Sequence, residues 1–184
     1  RPDPLPDFAT AHDADLTKLL ESPSHRRRLA AQRMLLRRWV EPREVAPLSA
    51  ASVHPGLAIR QGLPHPIHDV VSLAKNERQP IENRVAAVFT AVPAVGTSAP
   101  RVIQELLEDA TIAPWVFRAV TDPSGRLPEA WAKVIRNALR SPDARTRKEA
   151  IIALTRAGDE ADIPAMLPLT ADPDSVVAHT AVEC

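Results

Sequence analysis

The sequence predicts an all-α protein, an α-solenoid of about five antiparallel helix pairs. Three observations carry that prediction. The first is a signal that recurs about every 31 residues: Pro23, Arg28, Ala31 and Leu35 are spaced as Pro142, Arg147, Ala150 and Leu154 are. Pro173 and Ala181 keep the same interval, with Ala178 in place of the arginine. A weaker copy holds Arg84 and Ala87, and another centres on Ala119, so the alanines fall at 87, 119, 150 and 181, in steps of 32, 31 and 31. A fixed period of this size marks stacked units, each burying its apolar face only against its neighbours. The second observation is helical periodicity along most of the chain, with no segment alternating at period two. The third is composition: alanine is abundant, tyrosine is absent, and there are three Trp and three Phe. Small side chains let helix axes approach closely without a core of large aromatics.

Taken in order, residues 1–12 are Pro-rich and read as a linker. Asp15 is placed to cap a short helix carrying Leu16, Leu19 and Leu20. Ser22-Pro23-Ser24 breaks it, and a second helix runs to about Arg38 with Ala31, Met34, Leu35 and Leu36 inward. Regularity fails over 39–64, where prolines at 42, 47, 55 and 64 fall with Gly56 and Gly62. This stretch reads as an irregular repeat with an insertion, holding a short helix over Glu44 to Ala51 and a turn over Leu57 to Gln61. Paired helices follow at 66–75 and 80–92, 99–109 and 112–121, 128–140 and 143–157, and 161–170 and 173–183. Gly96, Gly125 and Gly158 fall in connections that often need a positive φ. The proline of the repeat is expected to open the second helix of each pair with its fixed φ. The arginine is expected to lay its stem along the next repeat and reach turn carbonyls or an acid with its head.

Ser141-Pro142-Asp143-Ala144-Arg145-Thr146-Arg147-Lys148-Glu149-Ala150 resembles the second helix of a HEAT-like (PBS-lyase-type) repeat, and the likeness extends over most of 13–183. More narrowly, residues 29–33, 83–87 and 174–182 are similar to the HEAT region of large exported bacterial proteins. Those proteins often carry the region between a quinoprotein-dehydrogenase-like propeller and a c-type cytochrome module. The resemblance implies a docking or structural segment of an extracytoplasmic redox protein, periplasmic or exported. The chain itself contains no propeller and no Cys-x-x-Cys-His motif.

Formal net charge is zero, so no whole-molecule field draws in nucleic acid or anionic membrane. The excess of arginine over lysine reads as coding bias. No run of about 18 apolar residues exists to span a membrane. Cys184 is the only cysteine, so no internal disulfide forms. The Pro-rich start, and a final helix whose Val176, Val177, Ala181 and Val182 are too apolar for a free end, lead us to expect a segment of a longer protein continuing past Cys184.

Four groups of residues are candidates for function. Arg26, Arg33 and Arg37 share one helix face within a basic run from His25 to Arg38, and suit phosphates or an acidic partner; the alternative is a solvated face, part-neutralised by Asp13, Asp15 and Glu21. Among Trp39, Trp115 and Trp131, the last two fall at core positions, so Trp39 is the exposed one available to a partner. His65, His68 and Asp69, with His54 as a distant partner, are three potential metal or haem ligands within five residues. Turn and helix-start hydrogen bonding is the competing role for them. His179 is expected to bond an adjacent turn. No nucleophile elbow, phosphate loop or His-Glu-x-x-His motif appears. The expected function is therefore non-catalytic: a scaffold that docks a protein partner or adjacent domains of the same chain, with no cofactor. The alternatives are a HEAT-like alkylpurine DNA glycosylase, favoured by the arginine cluster and Trp39, and a bilin lyase or chaperone subunit.

Overall fold

The computed structural model describes residues 6–8, 10–40, 54–121 and 127–184; the short helix expected over Glu44 to Ala51, and Gly125, lie outside them. The described residues contain eleven α-helices, short 3-10 turns and no strand. The chain divides into two compact units, Arg1–Val102 and Ile103–Cys184.

In the first unit, α1 (Asp13–Leu19) and α2 (His25–Trp39) form one hairpin, and α4 (Ile67–Lys75) and α5 (Ile81–Val95) a second, with α2 packed on α5. Two small residues of the repeat are fully buried in this unit, Ala31 of α2 and Ala87 of α5, as are Leu35, Val88 and Ala91. Asp15 does not cap α1. The helix begins two residues earlier, at Asp13, whose carboxylate is held by α2. Helix α5 also runs beyond the expected end at 92 and passes through Pro93. Proline has no N–H, so the Phe89 carbonyl loses its donor four residues on. Gln32 of α2 supplies a replacement, its Nε2 donating to Phe89 O at 3.4 Å. The short α3 (Pro55–Gln61) lies so close to the end of α5 that a Cβ on Gly56 would sit 2.8 Å from Val95 O.

In the second unit, α9 (Ala144–Ala157) is the centre. Helices α7 (Ala113–Val120), α8 (Glu129–Ala138) and α11 (Ser175–Glu183) all pack on it. Its Ala150, Ile151 and Ala153 are fully buried. Helix α6 (Pro100–Glu108) crosses the division between the units. The single helix expected over 161–170 is instead a 3-10 turn (Glu160–Asp162), one α-helical turn, α10 (Ile163–Met166), and a further 3-10 stretch (Leu167–Ala171). Pro164 and Pro168 cannot donate into an i→i−4 ladder, so the segment tightens into shorter pieces.

The repeat motif acts locally in a different way from that expected. Pro142 and Pro173 stand one residue before the N-cap, not inside the helix. The aspartate after each proline starts the helix: Asp143 accepts from Thr146 N at 2.8 Å, and Asp174 from Val176 N and Val177 N at 2.9 and 3.1 Å. The arginine does reach turn carbonyls. Arg28 Nη1 donates to Ser22 O at 2.6 Å and Arg147 Nη1 to Ser141 O at 2.8 Å, each six residues back. Arg84 Nε donates to Ala74 O at 2.9 Å. Gly96 and Gly158 take the positive φ expected of them, +49° and +69°.

Candidate functional site

The site is built on the outer face of α2. At 100° per residue this helix divides in two. Arg28, Ala31, Leu35 and Trp39 form the buried side, while Arg26, Arg33 and Arg37 lie exposed on the opposite one, as their spacing predicts. Between and beside the arginines stand Ala30, Met34 and Val40. Together with Leu36, Phe8 and Pro93 they line a groove of about 750 Å³, completed by Arg33 and Arg37. Arg26 is outside the groove but on the same face, seven residues and so ~10 Å along the axis from Arg33. Met34 and Leu36 were expected inward and are half-buried. Sequence reasoning also left Phe8, Val40 and Pro93 out of any site. The α2 members are legible in hindsight from their helical spacing; Phe8 and Pro93 arrive from remote segments and leave no local signal.

Trp39 is a correction. It is buried, at 8% relative exposure, and is not available as an exposed partner-binding side chain. Its indole Nε1 donates to Asp13 Oδ2 at 2.7 Å, and its ring centroid lies 5.0 Å from that of His65. Arg38 donates to the other oxygen of Asp13 at 2.6 Å, and also to Ala11 O and Phe8 O. An indole N–H and a guanidinium sharing one carboxylate explain why a large aromatic beside two arginines turns inward. Arg38 thereby ties Phe8 and Ala11 to α2, next to the groove that Phe8 lines. Trp131 is buried as expected, at 4%. Trp115 is only half-buried, with the Arg145 guanidinium 4.4 Å from its ring centroid.

The histidines are occupied locally. His65 Nδ1 accepts from Ile67 N at 3.0 Å at the start of α4, and His54 Nδ1 accepts from Gly56 N at 3.1 Å at the start of α3. His68 Nε2 bonds Leu63 O at 3.0 Å. Asp69 lies on a separate polar cleft with Lys18 and Glu21. Among the described residues no three His, Cys, Asp or Glu side chains gather as a metal would need. Burial holds the His65 imidazole below its ordinary 6.5, and His68 and His54 add to this against the opposing pull of Asp13.

Comparison with known proteins bears mainly on the second unit. Residues 99–184, just under half of the chain, match the family model described as HEAT repeats. Among solved structures the chain is similar to an engineered protein known from a crystal structure, at 19% identity and a TM-score of 0.47, over 92% of this chain and 76% of that one. No curated protein matches the chain. The helix pairs make the fold class all-α, an α-solenoid, and residues 99–184 match HEAT repeats.

Proposed function

We propose that this segment is a non-catalytic docking scaffold, a helical-repeat surface that holds a protein partner or a neighbouring domain of its own chain. The groove on α2 carries the reading: an apolar concavity lined by Phe8, Ala30, Met34, Leu36, Val40 and Pro93 and bordered by Arg33 and Arg37. Arginine and methionine are enriched at interface centres, and concave apolar surfaces are where partners seat. The reading assigns the segment no reaction. The DNA-glycosylase alternative loses one of the two features that favoured it, because Trp39 is engaged with Asp13.

The test is in-cell photo-crosslinking of the natural full-length protein, with the reactive group at position 33, and at exposed Lys133 as a control. The expected result is one identified protein, or one intramolecular adduct, at position 33 that is absent at 133. Equal labelling at both positions, or adducts with nucleic acid alone, would overturn it.

We propose further that the parent is a large exported bacterial redox protein, on the sequence likeness of residues 29–33, 83–87 and 174–182. Sequencing the complete reading frame tests this. A frame lacking both a propeller and a Cys-x-x-Cys-His motif removes that setting and leaves the docking role standing.

A further inference from the structure

We propose that α3 and the start of α4 form an acid-sensitive latch: two histidine rings hold these helix starts while neutral, and their protonation lifts α3 off the end of α5. The latch does not involve the groove on α2. One tripeptide pattern is used twice: His54-Pro55-Gly56 opens α3 and His65-Pro66-Ile67 opens α4. Proline has no N–H, so the first donor after each histidine is two residues on. In both copies the ring takes it. The Nδ1 of His54 accepts from Gly56 N at 3.1 Å, and that of His65 from Ile67 N at 3.0 Å. Both held amides belong to residues that anchor their helices. Ile67 is fully buried. Gly56 is where α3 approaches the end of α5: a Cβ there would lie 2.5 Å from Ser98 Cβ and 2.8 Å from Val95 O.

An imidazole that accepts through Nδ1 carries its single proton on Nε2. The imidazolium donates from both nitrogens, so a protonated ring sets N–H against N–H and must turn away. The helix start then loses its acceptor. His68 supplies a contrast within the same segment, because its Nε2 donates to Leu63 O and protonation leaves that bond intact. The surroundings decide how the new charge is met. Burial weighs most on His65 and favours the neutral ring; Asp13 of α1 opposes it, and His68 and His54 add to burial. Asp13 already accepts from Arg38 and Trp39 of α2. His54 is exposed, and α3 packs on α4, on α5 and on the 3-10 turn Gly96–Ser98. Residues 87–98 hold no ionisable side chain, so that stretch offers no counter-charge to either ring. Release of α3 uncovers Ala58, which is fully buried when the helix is docked.

The experiment follows amide exchange of the full 184-residue chain, corrected for the intrinsic rate, between about pH 8 and pH 5, where imidazole titrates. We expect protection of α3 to fall about tenfold across that range, the size of one to two lost caps, while α2 and α5 keep theirs. His54→Asn with His65→Asn should remove the response, because an asparagine side chain accepts the same N–H two residues on and does not titrate. His54→Ala with His65→Ala should leave α3 poorly protected at both ends of the range. A second measurement needs no variant and decides the matter if the asparagine variant fails to fold. Nitrogen chemical shifts of the rings should show His54 and His65 as the Nε2–H tautomer at the alkaline end. The Gly56 and Ile67 amide signals should then move as each ring protonates. An Nδ1–H tautomer in either ring, α3 protection that stays flat across the range, or an acid response that survives in the asparagine variant would overturn the proposal. So would loss of protection in α2 and α5 together with α3, which marks general destabilisation of the unit and not release of one helix.

Discussion

At the scale of single residues, Arg147 shows what the repeat arginine is for. It donates to Ser141 O and Pro142 O in the turn before its own helix, and its Nε and Nη2 fork onto Asp172 at 2.8 and 2.7 Å. Asp172 also accepts from Asp174 N at 2.9 Å, so one guanidinium joins the turn before α9 to the turn before α11. Arg147→Met should lower the thermal midpoint, and Arg147→Lys should recover only part of the loss, because an ammonium cannot span two carbonyls and a carboxylate as a planar fork does. Full recovery by lysine, seen in a melting curve, would show that charge alone matters there.

Titration follows from the same contacts and divides between the units. In the first, burial holds His65 below 6.5, so above that pH the ring is neutral in both folded and unfolded chains and nothing is lost. As pH falls through 6.5 the unfolded chain takes up the proton first, and stability declines until the folded ring also protonates. In the second unit, Arg147 holds the Asp172 carboxyl below its usual 3.8, and Thr146 does the same for Asp143. Their stabilisation is complete above about pH 4 and is lost as the pH falls through the lowered folded values. We therefore expect the protection of α4 amides, corrected for the intrinsic exchange rate, to begin falling as the pH drops below 6.5, while α9 stays protected until the acid range. Simultaneous loss in both units would contradict this assignment.

At the scale of elements, the 31-residue step permits a direct comparison within the chain. Ile151 of α9 and Val182 of α11 are one repeat apart, yet Ile151 is fully buried and Val182 is 66% exposed. The difference is packing, since α9 has α7 and α11 against it. Ile151→Ala should cost about 2–5 kcal/mol, and Val182→Ala within ~0.5 kcal/mol. Ala150→Leu should cost about 1–3 kcal/mol by overpacking between helices. Chemical denaturation of the three variants checks the register, and a Val182 effect as large as that of Ile151 would refute it.

The same contrast explains what was legible in the sequence. Helices such as Ile67–Lys75 and Ala144–Ala157 were readable because their apolar spacing and their packing agree. The stretch 161–170 misled because its apolar spacing survives where Pro164 and Pro168 have removed the donors that a continuous helix needs. Trp39 misled because its carboxylate partner stands 26 residues away in the chain. For the site, the arginine face of α2 was visible, whereas the groove needed Phe8 and Pro93, brought in by tertiary packing.

At the scale of the whole molecule, zero formal net charge supplies no long-range field to draw in nucleic acid. The exposed basic stripe amounts to Arg26, Arg33 and Arg37. Three phosphate contacts release enough counterions for a salt slope of about −2.7, so any duplex affinity should fall about 40-fold between 50 and 200 mM salt. Weak binding of that slope leaves nothing measurable in the nanomolar range at physiological salt. We expect micromolar or weaker association with duplex DNA, removed by alanine at all three arginines, and no release of base from alkylated duplex. Nanomolar binding with a much steeper slope would require many more phosphate contacts than this stripe supplies. Combined with base release, it would return the chain to the glycosylase reading.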